Sequence, residues 1–260
     1  MRKVLFLLVA VVALSACKYE KLLKSHDYKL KYNKALEYYN NEEYARAQGL
    51  FEQLRPLFKA TRQADTVFFY NAYCSFYMKD YMLAGHYFEE FYKTFGNSKF
   101  AEEAEFMTAY SKYKLSPRYT LDQAYTYEAI NGFLLYMSRH PNSKRVKQCN
   151  ELISEMRQKL SKKSFYNAQL YYKLGDYKAA IVALENVIVE YPNTEYREEV
   201  LYLIVKSNFL LADNSILTKQ QERYQATVDE YFTFINEFPE SEYKGEVVKM
   251  YEDALSAIRN

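Results

Sequence analysis

Apolar residues between Ser164 and Thr194 recur every three or four positions, in two runs that Gly175-Asp176 separates. The runs consist of Ala168, Tyr171 and Tyr172, and then of Tyr177, Ala180, Ile181, Leu184, Val187 and Ile188. This period places the side chains of each run on one face of a helix. Pro192 ends the second run, because proline disfavours helix in the residue before it and cannot continue one. The segment therefore predicts a hairpin of two helices.

Four closing tetrapeptides of similar composition follow amphipathic runs along the chain. They are Phe95-Gly96-Asn97-Ser98, His140-Pro141-Asn142-Ser143, Tyr191-Pro192-Asn193-Thr194 and Phe238-Pro239-Glu240-Ser241. Small alanines, a turn glycine, a tyrosine and a closing proline resemble the tetratricopeptide repeat, whose period is about 34 residues. The four tetrapeptides lie farther apart than that. Enlarged turns at residues 116–123 and 212–220 are the predicted insertions.

The resemblance predicts an all-α fold, an α-solenoid of about five tetratricopeptide-like helical hairpins with a C-terminal capping helix. Only 6 glycines and 5 prolines among 260 residues favour long helices. Residues 28–143 are expected to hold N-terminal repeats 1–3, and residues 164–260 to hold repeats 4–5 and the capping helix. Residues 144–174 contain neither glycine nor proline and keep a helical period, so they predict a long connecting helix. A break near residues 161–164 is the alternative.

The amino terminus has the architecture of an export signal. Arg2-Lys3 precedes an apolar run, Val4 to Ala13, that is too short to span a bilayer, and Leu14-Ser15-Ala16-Cys17 follows. This arrangement resembles a bacterial lipoprotein signal with its lipobox. The resemblance implies that residues 1–16 are a signal peptide, that acyl chains anchor Cys17, and that residues 17–27 form a lipidated tether. The alternative is an ordinary secretory leader with an incidental cysteine.

The residue after the cysteine bears on the destination of the chain. Lys18 stands there, with no aspartate and no acidic run. By similarity to known sorting signals, this favours the outer membrane, with the chain lipid-anchored and facing the periplasm.

Charge and motifs give no support to nucleic-acid binding or catalysis. After Arg2 and Lys3 are removed with the leader, 33 basic residues balance 33 acidic ones, so no net charge attracts nucleic acid. No G-x-S-x-G, P-loop, G-x-G-x-x-G, H-E-x-x-H or C-x-x-C motif occurs. The 3 histidines are too widely separated to suggest a metal site. We expect no enzyme, no cofactor and no metal.

Two cysteines remain after the leader, Cys74 and Cys149. In an exported chain such a pair can form a disulfide. Each, however, lies at an apolar position of a different helical run. Buried free thiols are therefore the favoured interpretation.

The layout as a whole resembles the BamD family of lipoproteins, subunits of the outer-membrane β-barrel assembly machine. The segment that carries the resemblance is Ser116-Pro117-x4-Asp122-Gln123, then Ala129-Ile130, Phe133 and His140-Pro141-Asn142-Ser143. The chain departs from the pattern at Gly96, which replaces a closing proline. The resemblance implies a non-catalytic scaffold whose amino-terminal groove receives unfolded outer-membrane proteins. It also implies that the carboxy-terminal half docks a barrel-forming, BamA-like subunit with periplasmic domains.

Six aromatic residues are the candidate peptide-binding site. In tetratricopeptide arrays the first helices of the hairpins line a groove. When repeats one and two are aligned on Ala47 and Ala84, these six residues are predicted to face that groove. They are Tyr32, Tyr39, Phe69, Tyr73, Phe76 and Tyr77. Aromatic rings can hold an extended peptide by apolar contact, with phenolic hydroxyls forming hydrogen bonds. The alternative is that some of them pack beneath the neighbouring repeat, because periodicity does not separate groove from core.

Two other functions compete with barrel assembly. One is a periplasmic repeat-adaptor lipoprotein for cell-wall or division enzymes. Such adaptors often add a coiled coil before the repeats, and Lys18–Asp27 is too short for three heptads. The other is a cytosolic chaperone adaptor that grips carboxylate tails. It would need basic and amide residues where Tyr32, Leu36 and Tyr70 stand.

Overall fold

The computed structural model describes residues 18–59 and 61–259. Within them the chain forms helices and turns, with no β-strand, and residues 18–23 form a first short helix. The eleven longer helices are α1 (Tyr28–Asn40), α2 (Tyr44–Phe58), α3 (Ala64–Tyr77), α4 (Tyr81–Thr94), α5 (Ala101–Leu115), α6 (Ala124–Arg139), α7 (Val146–Lys173), α8 (Tyr177–Glu190), α9 (Arg197–Asp213), α10 (Leu217–Glu237) and α11 (Lys244–Arg259). The predicted signal peptide and Cys17 lie outside the described residues.

The same tight turn joins the two helices of three hairpins. One residue in each turn has a left-handed backbone, with φ of 61° at Glu42, 66° at Lys79 and 78° at Gly175. Asp80 and Asp176 come next in two of the turns, and their carboxylates accept backbone N–H hydrogen bonds of 3.1 and 3.2 Å from the first turn of the following helix. Such caps satisfy N–H groups that a helix start leaves unpaired. The turn therefore recurs even where no glycine marks it.

All four closing tetrapeptides have the same backbone hydrogen bonds. The first residue donates its N–H to the carbonyl four positions earlier, and the fourth residue donates to the carbonyl of the first, at 2.7–3.3 Å. Gly96 leaves this pattern unchanged, with Phe95 and Ser98 donating at 2.7 and 2.9 Å. The closing signature thus ends a helix in every case, including the case without proline.

Packing inside the hairpins follows a regular alternation of small and large residues. An alanine and the large apolar residue four positions later are fully buried in each of four second helices. The pairs are Ala47 and Phe51, Ala84 and Phe88, Ala129 and Phe133, and Ala180 and Leu184. The alanine lets the partner helix approach, and the larger side chain fills the space one turn further on. The predicted all-α fold of tetratricopeptide-like hairpins is confirmed.

The described chain divides into two compact units. Unit 1 comprises the described residues up to Pro117 together with Gln123–Asn150, and unit 2 comprises Arg118–Asp122 and the described residues from Glu151 onward. In unit 1, α1 to α6 pack in sequence order, each against the next. In unit 2, α8 to α11 do the same, and α9 also contacts α11. Helix α7 is a single element of 28 residues that continues through residues 161–164.

Cys74 and Cys149 are both buried free thiols. Burial raises the pKa of Cys74 to about 12 and that of Cys149 to about 11. Because the thiolate is the reactive form, both side chains are unreactive at neutral pH while the chain is folded. The preference for buried thiols over a disulfide is confirmed.

Candidate functional site

Six aromatic rings in unit 1 form a continuous series, which we call the aromatic run. In order along the surface, its members are Tyr44, Tyr77, Tyr73, Phe76, Tyr110 and Tyr113. Successive ring centroids are 4.6, 5.6, 6.5, 5.8 and 5.5 Å apart. Four of the five pairs are stacked, and the Tyr73–Phe76 pair meets edge to face. These are the separations and orientations at which aromatic rings attract one another.

Helical spacing brings the rings of the aromatic run together. Tyr73, Phe76 and Tyr77 stand at positions i, i+3 and i+4 of α3, and so share one face. Tyr110 and Tyr113 have the same relationship on α5. Helices α3 and α5 are the first helices of the second and third hairpins. The two aromatic faces therefore meet where Phe76 stacks on Tyr110.

Four of the six predicted site residues are in or beside the aromatic run. Tyr73, Phe76 and Tyr77 belong to it, and Tyr39 lies 6.2 Å from the ring of Tyr77. Tyr77 is the most open of them, with 45% of its surface exposed.

The other two predicted residues are placed differently. Phe69 is only 6% exposed and packs against Phe88, Phe91 and Phe100, so it supports the run from beneath. Tyr32 stands apart, with its ring stacked on Phe58 at 5.7 Å.

Three members of the aromatic run were missed from sequence. Tyr110 and Tyr113 continue the spacing into the third repeat, so extending the alignment by one repeat would have found them. Tyr44 begins the second helix of the first hairpin, and its ring stacks on Tyr77, which ends the first helix of the next hairpin. The period of either helix alone does not mark such a contact between hairpins.

Polar contacts at Tyr73 complete the site. The Tyr73 hydroxyl donates to Oε1 of Glu103 at 2.7 Å, and Arg145 donates to both oxygens of the same carboxylate at 2.5 and 2.8 Å. The Arg145 guanidinium also lies 4.0 Å from the centroid of the Phe106 ring. Burial, with the neighbouring Glu103 carboxylate, raises the pKa of Tyr73, which keeps the phenol protonated as a donor. The surface therefore offers apolar ring faces and neutralised charges.

Unit 2 presents a second surface, which we call the α7 strip. Tyr166, Leu170 and Leu174 follow one another at four-residue steps along the second half of α7 and just beyond its end. Leu170 is 55% and Leu174 is 72% exposed. Leu121, also exposed, lies in the loop whose carbonyl at that residue accepts a 2.9 Å hydrogen bond from Lys163 of α7. Large apolar side chains exposed together in this way commonly mark an interaction surface.

Neither a metal site nor a membrane-spanning helix is found in residues 18–59 and 61–259. No group of three or more His, Cys, Asp or Glu side chains there is placed to hold a metal ion. None of the helices there combines the length and the apolar character that crossing a bilayer requires.

Comparison with known proteins gives consistent matches over most of the chain. The family YfiO, described as outer membrane lipoprotein, matches residues 25–215 and 168–258. The chain is 27% identical over 227 residues to a protein of Aquifex aeolicus provisionally named outer membrane protein assembly factor BamD, covering 86% of this chain and 74% of that protein. It is also 27% identical over 227 residues to the outer membrane protein assembly factor BamD of Neisseria meningitidis, covering 78% and 83% respectively. Among solved structures, the TPR domain of P58(IPK) gives a TM-score of 0.43 at 13% identity, covering 92% of this chain and 68% of that one.

Proposed function

Because the chain belongs to the YfiO family of outer membrane lipoproteins, we propose that it is a non-catalytic scaffold for the assembly of outer-membrane proteins. Two relatives that share most of its length are named as BamD assembly factors, which supports this role. In this proposal the chain is anchored by lipid at Cys17 and faces the periplasm. It holds other polypeptides, and its partners are unfolded outer-membrane proteins and a barrel-forming, BamA-like subunit.

The aromatic run is the proposed site for unfolded outer-membrane protein segments, and it is the single observation that carries the proposal. Strands of such barrels alternate apolar and polar side chains, with aromatic residues at the membrane interfaces. An extended segment of that kind can lay its apolar side chains against ring faces and accept hydrogen bonds from phenolic hydroxyls. The exposed ring of Tyr77 is the first contact we expect.

The α7 strip is the proposed docking site for the barrel-forming subunit. Its exposed leucines give unit 2 an apolar surface that a folded partner domain would cover. The two surfaces lie in different units, so substrate and partner would not compete for the same residues.

A peptide-binding experiment tests the aromatic run. The probe is a fluorescent synthetic peptide with the sequence of one β-strand of an outer-membrane barrel. Tyr77→Ala should weaken its binding roughly tenfold, the usual cost of removing a central aromatic contact. Tyr127→Ala is the matched control, since Tyr127 is a tyrosine of the same unit, is 52% exposed and lies outside the run. Equal affinities of the two variants would place peptide binding elsewhere.

Affinity isolation from envelope membranes tests the partner. The unaltered chain should recover a barrel-forming subunit, and Leu170→Asp with Leu174→Asp should lose it. Val182→Asp with Val189→Asp, at two exposed positions of α8, is the control that should retain it. Recovery of peptidoglycan synthases without any barrel-assembly subunit would reject the proposal in favour of a cell-wall adaptor.

Fractionation tests the anchor. Cys17→Ser should release the chain from membranes, because the acyl chains have no other attachment point in the lipobox. Continued sedimentation of this variant with the membrane at high salt would contradict lipid anchoring at Cys17.

A further inference from the structure

The segment that directly follows Cys17 is fastened to the first hairpin. The Tyr19 hydroxyl donates to the backbone carbonyl of Arg46 at 2.9 Å. The buried ammonium of Lys31 donates to the carbonyl of Leu23 at 2.8 Å, where the short helix of residues 18–23 ends. A Cβ on residue 49 would lie 2.6 Å from the Tyr19 hydroxyl oxygen, so this contact depends on Gly49. The short helix is therefore an integral part of unit 1 with a defined position.

A cavity of about 380 Å³ lies where this short helix meets α1. Three lysines line it: Lys18 and Lys21 from the short helix, and Lys34 from α1. The apolar part of its wall comes from Leu22 and Leu30. Lys18, Lys21 and Leu22 stand at i, i+3 and i+4, so helical spacing brings ammonium groups and an apolar surface to one place.

The positive charge of this cavity is incompletely neutralised. Lys34 has a carboxylate partner, Glu37, at 2.7 Å. Within the part of the chain that the structure describes, neither Lys18 nor Lys21 has an ion-pair partner. Residues 18–34 hold six lysines against Glu20 and Asp27, although acidic and basic residues balance over the chain beyond the leader. The excess positive charge is thus concentrated beside the proposed anchor.

We propose that this cavity binds the headgroup of an anionic phospholipid in the leaflet that holds the acyl chains of Cys17, an inference that rests on the proposed lipid anchoring. The lysine ammonium groups match the lipid phosphate, and the two leucines match the glycerol backbone and the first methylene groups. Lys18 is adjacent to Cys17 in the chain, so the cavity is within reach of the headgroup layer. The docked helix then holds the first hairpin against the membrane, and a second attraction adds to that of the anchor.

Vesicle binding tests the proposal without the acyl chains. The chain from residue 17 onward, carrying Cys17→Ser, is mixed with vesicles of phosphatidylglycerol or of phosphatidylcholine and floated on a density gradient. We expect the chain to float with the phosphatidylglycerol vesicles and not with the phosphatidylcholine vesicles. Adding Lys18→Gln and Lys21→Gln should lower partitioning roughly thirtyfold, the loss expected for two lysines at an anionic surface.

A matched control separates the cavity from general charge. Lys178→Gln with Lys249→Gln removes the same charge from exposed positions of α8 and α11 and should leave partitioning unchanged. Equal partitioning of the two double variants, or equal binding to both kinds of vesicle, would overturn the proposal. So would displacement by inorganic phosphate as effective as that by a short-chain phosphatidylglycerol at the same ionic strength, because the site would then recognise phosphate alone.

This experiment and the anchor test fail independently. The vesicle-binding chain has no acyl group, so its affinity for phosphatidylglycerol does not depend on what happens at Cys17. If Cys17→Ser releases the chain from membranes in cells, and if vesicle binding is the same with and without Lys18 and Lys21, the lipid anchor is supported and the lipid site in the cavity is rejected. The reverse pair of results would reject the anchor and retain the cavity.

Discussion

Phe69 stacks on Phe100 with ring centroids 4.3 Å apart and ring planes 14° apart. This contact buries Phe69, whereas Tyr77, two turns further along the same helix, remains open at the surface. The sequence predicts that both residues face a groove. Their different burial predicts different roles: Phe69 stabilises the fold, and Tyr77 is open to the peptide that we propose binds there.

The first prediction concerns this difference. Phe69→Ala should lower the free energy of unfolding by about 3–5 kcal/mol, because it leaves a cavity among packed aromatic rings. Tyr77→Ala should cost less than about 1.5 kcal/mol, because its ring is half solvated and its loss leaves no enclosed cavity. Urea unfolding followed by circular dichroism measures both values. Equal losses would mean that Phe69 is not part of the core.

A second prediction concerns Asn71, a buried side chain whose amide nitrogen and oxygen both lack partners among the described residues. Leaving a polar group buried and unpaired costs roughly 1–3 kcal/mol. Asn71→Leu, of similar volume, should therefore raise the free energy of unfolding by about that amount. Asn208→Leu is the control and should not stabilise the chain, because Asn208 is buried but donates to the Ile204 carbonyl at 3.0 Å. A destabilised Asn71→Leu would show that the amide has a role at that position.

A third prediction contrasts two helical glycines. A Cβ on Gly132 would lie 2.8 Å from the Ala109 Cβ, across the contact of α6 with α5. Gly132→Ala should destabilise the chain by about 1–3 kcal/mol through overpacking. A Cβ on Gly245 meets nothing within 4 Å. Gly245→Ala should instead stabilise it, by up to about 1 kcal/mol, because alanine loses less backbone entropy in a helix. Thermal unfolding of the two variants should shift in opposite directions.

A fourth prediction concerns pH and two glutamates of unit 2. Hydrogen bonds from Lys206 and Tyr202, at 2.7 Å each, hold the pKa of Glu246 below its usual 4.5. Burial, with nearby Glu185 and Asp229, raises the pKa of Glu230. The contribution of Glu246 to the free energy of unfolding is therefore complete above pH 4.5 and is lost as the pH falls through its folded pKa. The contribution of Glu230 to the free energy of unfolding is complete below pH 4.5 and is lost as the pH rises through its folded pKa.

Substitution by glutamine should separate the two glutamates. At neutral pH, Glu246→Gln should lower the melting temperature, because it removes a carboxylate whose charge the folded state favours. Glu230→Gln should raise it, because it removes a carboxylate whose charge the folded state disfavours. Well below pH 4.5, where both carboxyl groups are protonated, both effects should shrink. Melting curves across this range measure them. A Glu230→Gln effect that is the same at every pH would argue against a raised pKa.

Local chemistry explains why much of the fold was predictable. A period of three to four residues specifies a helix wherever it occurs, and the closing tetrapeptide ends one by its own backbone hydrogen bonds. Alanine followed four positions later by a large apolar residue specifies which side of a second helix is packed, as at Ala84 and Phe88. These features need only neighbours within one or two turns. They are therefore readable from a single sequence.

Contacts between elements were not readable in this way. The helical period places Phe69 and Tyr77 on the same side of α3, but Phe100, from the loop between α4 and α5, stacks on Phe69 and leaves Tyr77 exposed. Tyr44 joins the aromatic run through Tyr77 of the next hairpin. Tyr19 packs against Gly49, thirty positions away in the chain. Each of these outcomes depends on how close two segments come in space, a distance that hydrophobic periodicity does not encode.

The sequence alone thus determined the helical hairpins, their ends and their packed sides, because those follow from backbone geometry and proline chemistry over a few residues. Only the tertiary structure decided which aromatic rings form one surface and that the residues after Cys17 are docked on the first hairpin. The physical reason is that exposure is a property of packed neighbours. A residue such as Phe69 has the same position in the helical pattern of the sequence whether or not another ring covers its side chain.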